Sequence, residues 1–329
     1  MRNIERRTVL KSLVAAAVGG LAPKSLVAQG SWPSRPLKMI VPFPAGGTAD
    51  VLARLMAQRL ADAIGQPIVV DNKPGAAGNI GSEAAAKSPN DGNHLFYGTI
   101  GTSGGINLAL YPKLTYDPVK DFAPIALAHT LPNVLVVNQT VPAQNVAELI
   151  TWLKANPGRA NYASSGNGGI SHLGAELFKT MTGVQMTHVP YKGGAAALTD
   201  LIGGQVQLMF ETAPNALVHY RAGRVRALGV STPKRSATAP ELPTIGETVA
   251  GYEVNTWTAL YAPAGTPREV VQRLAAEMVK LQKSPDYAER LAKIGADAPE
   301  SSPEHLAAFM QAEIAKWGKI VRDTGAKVD

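Results

Sequence analysis

The chain has 329 residues, 45% hydrophobic and 17% charged, enough to bury one large core or two smaller ones and too apolar for a disordered or fibrous protein. It contains no cysteine, which excludes disulfides, thiolate zinc, iron–sulfur ligation and a cysteine nucleophile. Of its net charge of +7, four units fall in the first 28 residues, where Arg2, Arg6, Arg7, Lys11 and Lys24 face Glu5 alone. The small remainder, without basic clusters, offers no footprint for nucleic acid.

Residues 1–30 read as a cleavable export signal. Arg6-Arg7 precedes a short apolar run at 13–22, below the length of a membrane span, and small residues follow. The segment 5–11 is similar to a twin-arginine motif, with Val9 at a position that prefers Phe, and an ordinary export signal fits as well. Removal near residues 28–30 would leave a soluble protein in the periplasm, without stable membrane insertion.

Beyond the leader, strands and helices alternate. An apolar run at 37–43 ends at Pro44-Ala45-Gly46-Gly47, and Asp50 opens a helix whose apolar residues recur at helical spacing up to Gly65. A strand at 68–70, a helix at 80–87 and a strand at 94–97 continue the pattern, which marks a parallel sheet covered by helices. After Phe122 two strand-like segments, 123–129 and 134–137, follow with no helix between them, as expected where a chain crosses into a second domain. Alternation resumes from 146 to 230, a proline-rich loop fills 233–248, and a strand at 253–262 leads back. Helices at 267–283, 285–294 and 303–322 each begin at proline, which suits a first helical position. The expected architecture is α/β, with two lobes and two crossings near His129 and Tyr252: one lobe from 31–128 and 253–329, the other from 129–252.

A cleft between two such lobes is lined by strand ends. Those ends carry glycine, hydroxyls and amides. Pro44 to Asp50, Ser164 to Gly169 and Tyr191 to Ala195 are strand-to-helix turns, and Glu211-Thr212 is a further strand end. Glycine turns opening onto helix N-termini form anion sites, and several in one chain point to a negatively charged small ligand. The Gly46-Gly47-Thr48 and Ser164 to Gly168 turns are expected to act together, glycine being required at Gly47 and Gly166. Lys192 is the one basic residue in these turns. No phosphate-binding or dinucleotide glycine motif is present, and the six histidines lack metal-ligand spacing, so no cofactor or metal is expected. Gly101-Thr102-Ser103-Gly104-Gly105 matches a nucleophile elbow, which keeps a secreted serine hydrolase using Ser103 as an alternative. Trp152, Trp257 and Trp317 read as core or helix-face residues, and His305 as a solvated helix start.

The mature chain resembles, over its whole length, the extracytoplasmic receptors of tripartite tricarboxylate transporters, the Bug-type solute-binding proteins. The resemblance rests on Ile40-Val41-Pro42-Phe43-Pro44-Ala45-Gly46-Gly47 with Asp50 and Arg54, on the stretch from Gln66 to Gly81, and on Tyr116-Asp117-Pro118. It extends through Tyr162 to Gly168, His188-Val189-Pro190-Tyr191-Lys192-Gly193 and Ala262-Pro263-Ala264-Gly265-Thr266-Pro267. It implies a periplasmic binding protein of type II that captures a small di- or tricarboxylate, amino acid or aromatic acid between its lobes, as a monomer that is not an enzyme. It also implies a membrane permease, or a sensor, as partner, and a ligand-sensing or scaffold subunit without a transport role stands beside the hydrolase as an alternative. By position, the family's contacts fall on Phe43, Ala45, Gly46, Gly47, Thr48 and Asp50, then Thr99, then Ser164, Ser165, Gly166, Asn167 and His172. Tyr191, Gly193 and Glu211 complete the set. This chain departs from the family at Ala49, where many relatives have a hydroxyl residue, and at Glu211, where they often carry Asp.

Overall fold

The computed structural model describes residues 32–327 except 112 and 237, so the expected leader lies outside the described residues. Nine strands and ten α-helices follow one another in chain order among these residues. β1 (Leu37–Val41), α1 (Thr48–Ile64), β2 (Ile68–Asn72), α2 (Asn79–Ala86), β3 (His94–Thr99) and the short α3 (Ile106–Leu110) lead into β4 (Phe122–Val137). Next come α4 (Val146–Ala155), β5 (Asn161–Ser164), α5 (Ile170–Thr182), β6 (Thr187–Pro190) and α6 (Gly194–Ile202). β7 (Leu208–Thr212), α7 (Ala213–Arg221), β8 (Arg226–Val230) and β9 (Asn255–Pro263) precede the closing helices α8 (Arg268–Gln282), α9 (Pro285–Ile294) and α10 (Pro303–Thr324).

The strands run β2-β1-β3-β9-β4-β7-β5-β6, with β8 also on β4. β1 pairs in parallel with β2 and β3, and β5 pairs in parallel with β6 and β7, each parallel group being the sheet of one α/β lobe. The two expected strands after Phe122 are one 16-residue strand, β4, that belongs to both sheets. From Phe122 to Pro132 it pairs with β9; from Asn133 onward its partners are β7 and β8. Register slips at Pro124/Ala126 and Leu127/His129 bend the strand, and Pro132, which has no N–H to give, sits where one ladder hands over to the other. These breaks in the alternation are why the segment reads as two strands in the sequence.

The return crossing is tied to the outgoing one. Ser231 Oγ accepts the Asn133 N–H at 2.9 Å, the Asn133 amide donates to the Val254 carbonyl at 2.9 Å, and the Val254 N–H donates to the Ser231 carbonyl at 3.1 Å. One apolar core packs α1, α8 and α9 on the first sheet, and another packs α6 and α7 on the second. A third, holding Phe96, Leu135, Tyr162, Phe178, Trp257 and Trp317, spans both sheets under α10. Trp257 and Trp317 are buried and both donate to Glu313 Oε2 at 2.9 Å, which explains one carboxylate inside this core. Pro285 and Pro303 do start helices, whereas Pro267 caps α8 from outside.

Candidate functional site

A cavity of about 390 Å³ opens between the strand ends of the two sheets, a volume typical of small-molecule sites. Phe43 reaches it from the β1–α1 connection, Thr48, Ala49 and Leu52 from the start of α1, and Thr99, Ile100 and Gly101 from the end of β3. Ile106, Asn107, Leu110 and Tyr111 contribute from α3 and its exit. Across from them lie Ser165 to Ile170 and Thr212, while the crossing strands supply Leu131, Thr256 and Thr258. Among the described residues, none of the lining side chains is Lys, Arg, His, Asp or Glu.

The first connection is shaped from behind. Asp50, at 3% exposure, accepts the Gly46 N–H at 2.9 Å, Arg54 Nε at 2.9 and 3.0 Å, and Asn72 Nδ2 at 2.9 Å. Asn72 also donates to the Phe43 carbonyl at 3.0 Å, which fixes the residue that enters the cavity. Burial alone would raise the Asp50 carboxyl, but the hydrogen bonds from Arg54, Gly46 and Asn72 outweigh it and hold the group at about 2. Ala45, Gly46 and Gly47 lie exposed outside the cavity wall, and Asp50 acts on the loop rather than on the cavity.

At the end of β3, the Thr99 N–H donates to Thr102 Oγ1 at 2.9 Å, and the Thr99 carbonyl accepts Ser103 Oγ at 2.9 Å. Ser103 is fully buried with its hydroxyl proton committed to that carbonyl, so the five-residue elbow pattern is a folded turn without an exposed nucleophile. Gly104 is required here by close approach, because a Cβ would lie 2.5 Å from the Trp257 ring and 2.6 Å from the Ile100 carbonyl.

The second lobe presents a loop organised by its own hydroxyls and a histidine pair. The Ser165 N–H donates to Ser171 Oγ at 3.0 Å, the Gly166 N–H to Ser164 Oγ at 3.2 Å, and the Gly168 N–H to His172 Nδ1 at 3.0 Å. With those amides spent on loop shape, the first-turn amides of α5 at Ile170, Ser171 and His172 are the ones without an intrahelical carbonyl. Ser164 Oγ bonds His188 Nε2 at 2.6 Å, and the His188 ring stacks on His172 at 4.0 Å between centroids. Ser164 and His172 therefore support the loop from beneath, while Ser165, Gly166 and Asn167 line the cavity with Phe43, Thr48 and Thr99.

The remaining expected residues stand apart from the lining. Tyr191 donates to Asp200 at 2.8 Å, Gly193 caps α6 at φ 111°, and Lys192 is exposed. Glu211 is buried behind Thr212: its Oε1 accepts the Thr212 N–H at 2.9 Å and Thr212 Oγ1 at 2.8 Å, and its Oε2 has no partner. Burial pushes its carboxyl up. Sequence reading did not select the apolar lining or the Thr256 and Thr258 pair. Leu52, Ile106, Leu110 and Leu131 have the spacing of core residues, but the alternation of Thr256 and Thr258 around Trp257 places two hydroxyls on one strand face.

The histidine pair gives a pH prediction. Burial, with His172 as neighbour, lowers His188 to about 4, and burial also lowers His172. Both rings are neutral in the native state, and a His172 protonated at Nδ1 cannot accept from Gly168. Their folded values lie below the unfolded one of about 6.5, so the stability they contribute is complete above that pH. It is lost as pH falls toward about 4. His129, held at about 3 by burial, adds a loss that extends lower. Urea midpoints measured from pH 7.5 to 4.5 should fall, and His188→Gln should flatten the upper part of that fall. An equally steep profile in the variant would remove the pair from the account.

A ligand-sized cavity walled by the strand ends of two α/β lobes, joined by two crossing strands, defines a solute-binding protein of the periplasmic type. The model of the tripartite tricarboxylate transporter family receptors matches residues 52–326. Protein BugT of Bordetella pertussis is 36% identical over 329 residues, covering 99% of each chain. Two solved structures from Rhodopseudomonas palustris are also similar. One, with adipate, is 40% identical with a TM-score of 0.81 and covers 90% of this chain and 100% of the other. MatC, with bound malate, is 34% identical with a TM-score of 0.75 and covers 88% of this chain and 100% of that one. The chain belongs to the tripartite tricarboxylate transporter receptor family, in its Bug-type branch, and is a solute-binding receptor.

Proposed function

We propose that this receptor captures a small carboxylate in the interlobe cavity and delivers it to the membrane permease subunits of a tripartite tricarboxylate transporter. It works in the periplasm once residues 1–30 are removed, it acts without chemistry on its ligand, and it does so as a monomer. The observation that carries this reading is the cavity itself: uncharged, walled by both lobes, and facing the N-terminus of α5. A carboxylate there meets unpaired amides and the positive end of the helix dipole. The adipate and malate held by two relatives support the ligand class. The burial of Ser103 argues against the hydrolase alternative. The handover of β4 at Pro132/Asn133 supports the division into two lobes, with the outgoing crossing four residues beyond the 128/129 boundary expected from the sequence, and closure of the lobes around the ligand would follow from contacts on both.

A thermal-shift screen over a carboxylate library tests the proposal. A ligand at ~100 times its dissociation constant stabilises by about 2.7 kcal/mol, which raises the melting temperature of a protein of this size by about 4 °C. At least one carboxylate should give that rise, and a library of neutral analogues should give none. Stabilisation by esters or alcohols in place of acids would overturn the ligand class.

A further inference from the structure

The two sides of the cavity differ in chemistry. From the second lobe come Ser165, Thr212 and the start of α5, a helix with no acid in its first turn. From the first lobe come Phe43, Leu52, Ile106, Leu110 and Tyr111, which together form an apolar wall. The helix that begins on that side, α1, already carries a carboxylate in its first turn, since Asp50 is buried there and paired with Arg54. The chain's own anion thus occupies the helix end that would otherwise attract one from the ligand.

Two side-chain donors on the first-lobe side are committed as well, leaving there the Thr48 and Tyr111 hydroxyls and the first-turn amides of α1 at Thr48 and Ala49. The Asn107 amide gives its hydrogens to the Ala77 carbonyl at 3.1 Å and to Asn79 Oδ1 at 2.7 Å, and Thr258 Oγ1 donates to the Tyr97 hydroxyl at 2.8 Å. A carboxylate pressed against this wall would give up water for methyl and ring carbons with no cation beside it, which is strongly unfavourable. Hydrocarbon in the same place gains by leaving water. Thr48, half-buried at the rim, offers one hydroxyl, enough for a neutral polar substituent.

We propose that the acid this receptor takes carries a single carboxylate, directed at the second lobe, and an uncharged hydrocarbon body, a chain or an aromatic ring, packed against the wall of Phe43, Leu52, Ile106, Leu110 and Tyr111. The inference rests on the carboxylate reading above and narrows it. Adipate and malate each carry two carboxylates, so it separates this chain from the two relatives that hold them.

Titration calorimetry on the purified protein with matched pairs decides it: hexanoate against adipate, and 4-methylbenzoate against terephthalate. The monoacid of the better-bound pair should bind at least roughly tenfold more tightly than its diacid. Thr48→Lys, which places a cation at the first-lobe rim, should shift the ratio toward the diacid. A diacid that binds as tightly as its monoacid overturns the single-carboxylate ligand and leaves the carboxylate receptor standing. A ratio unchanged by Thr48→Lys overturns the placement of the uncharged end on the first lobe. Binding of none of the four acids, with no carboxylate active in the thermal-shift screen, removes both readings together.

Discussion

Replacing Asp50 by alanine is expected to destabilise the protein by about 2 to 3 kcal/mol at neutral pH and to weaken ligand binding by roughly tenfold or more. The buried carboxylate accepts from Gly46, Arg54 and Asn72, so its removal takes one acceptor from each of three donors at once and unties the exposed Gly46 and half-buried Asn72 from α1. Arg54, with about half of its side chain exposed, recovers hydration, which keeps the cost below that of breaking a fully buried ion pair. The effect on binding follows from geometry. Asn72 also holds the Phe43 carbonyl, so a loosened Asn72 frees the side chain that enters the cavity. Asp50→Asn retains one acceptor oxygen and should fall between wild type and alanine. The pH dependence has a definite sign: with the folded carboxyl at about 2 against an ordinary 3.8, its contribution is complete above the ordinary value and disappears as pH falls through about 2. Urea unfolding of the three proteins at pH 7 checks the order. A loss under ~0.5 kcal/mol for Asp50→Ala, the range of ordinary surface changes, would show that the loop holds itself without the cluster.

Much of the architecture was legible because helices and strands of ordinary length carry their period openly. The helix at Val146–Ala155 and the strand at Asn161–Ser164 lie where the apolar spacing puts them, and Gly65 closes α1 in the left-handed conformation that its position suggests. β4 was harder to read, since a strand that changes partners midway has a bulged and proline-interrupted pattern that imitates two strands. At the site, the turns were visible as glycine between strand and helix, but which of their atoms face the ligand depends on tertiary contacts. Glycine at 46 and 47 looks equivalent in sequence to glycine at 166 and 168. Only the fold shows that the Gly46 amide is spent on Asp50 while Gly166 and Gly168 line the cavity. The apolar wall was illegible for a related reason. Leu52 and Ile106 are almost fully buried, and a side chain that lines a cavity and one that fills a core have the same periodicity.

The two glycine turns therefore differ in what a substitution should do, and the contrast is testable with the same side chain at both. Gly47 caps α1 at φ −77° and ψ 167°, an extended conformation open to any residue, and a Cβ there would meet nothing nearer than the Pro44 carbonyl at 3.5 Å. Serine is a better helix cap than glycine, so Gly47→Ser should leave stability equal or slightly raised and binding within about twofold. Gly166 sits at φ 140°, where an L side chain is strained although space is available, the nearest atom to a Cβ being the Tyr191 carbonyl at 3.6 Å. Relief of that strain, worth roughly 1 to 3 kcal/mol, has to come from rotating the backbone. Rotation pulls the Gly166 N–H from Ser164, and with it the segment that Gly168 ties to His172. Gly166→Ser should thus lose more than tenfold in binding, while Ser165→Ala, which removes only a hydroxyl paired with Ser171 at 3.0 Å, should lose less than tenfold. Calorimetry on the three variants with the best acid from the screen, after circular dichroism has shown each to be folded, gives the order. If Gly166→Ser and Gly47→Ser bind alike, the second-lobe loop tolerates rearrangement and the grip on the carboxylate lies on the α5 amides alone.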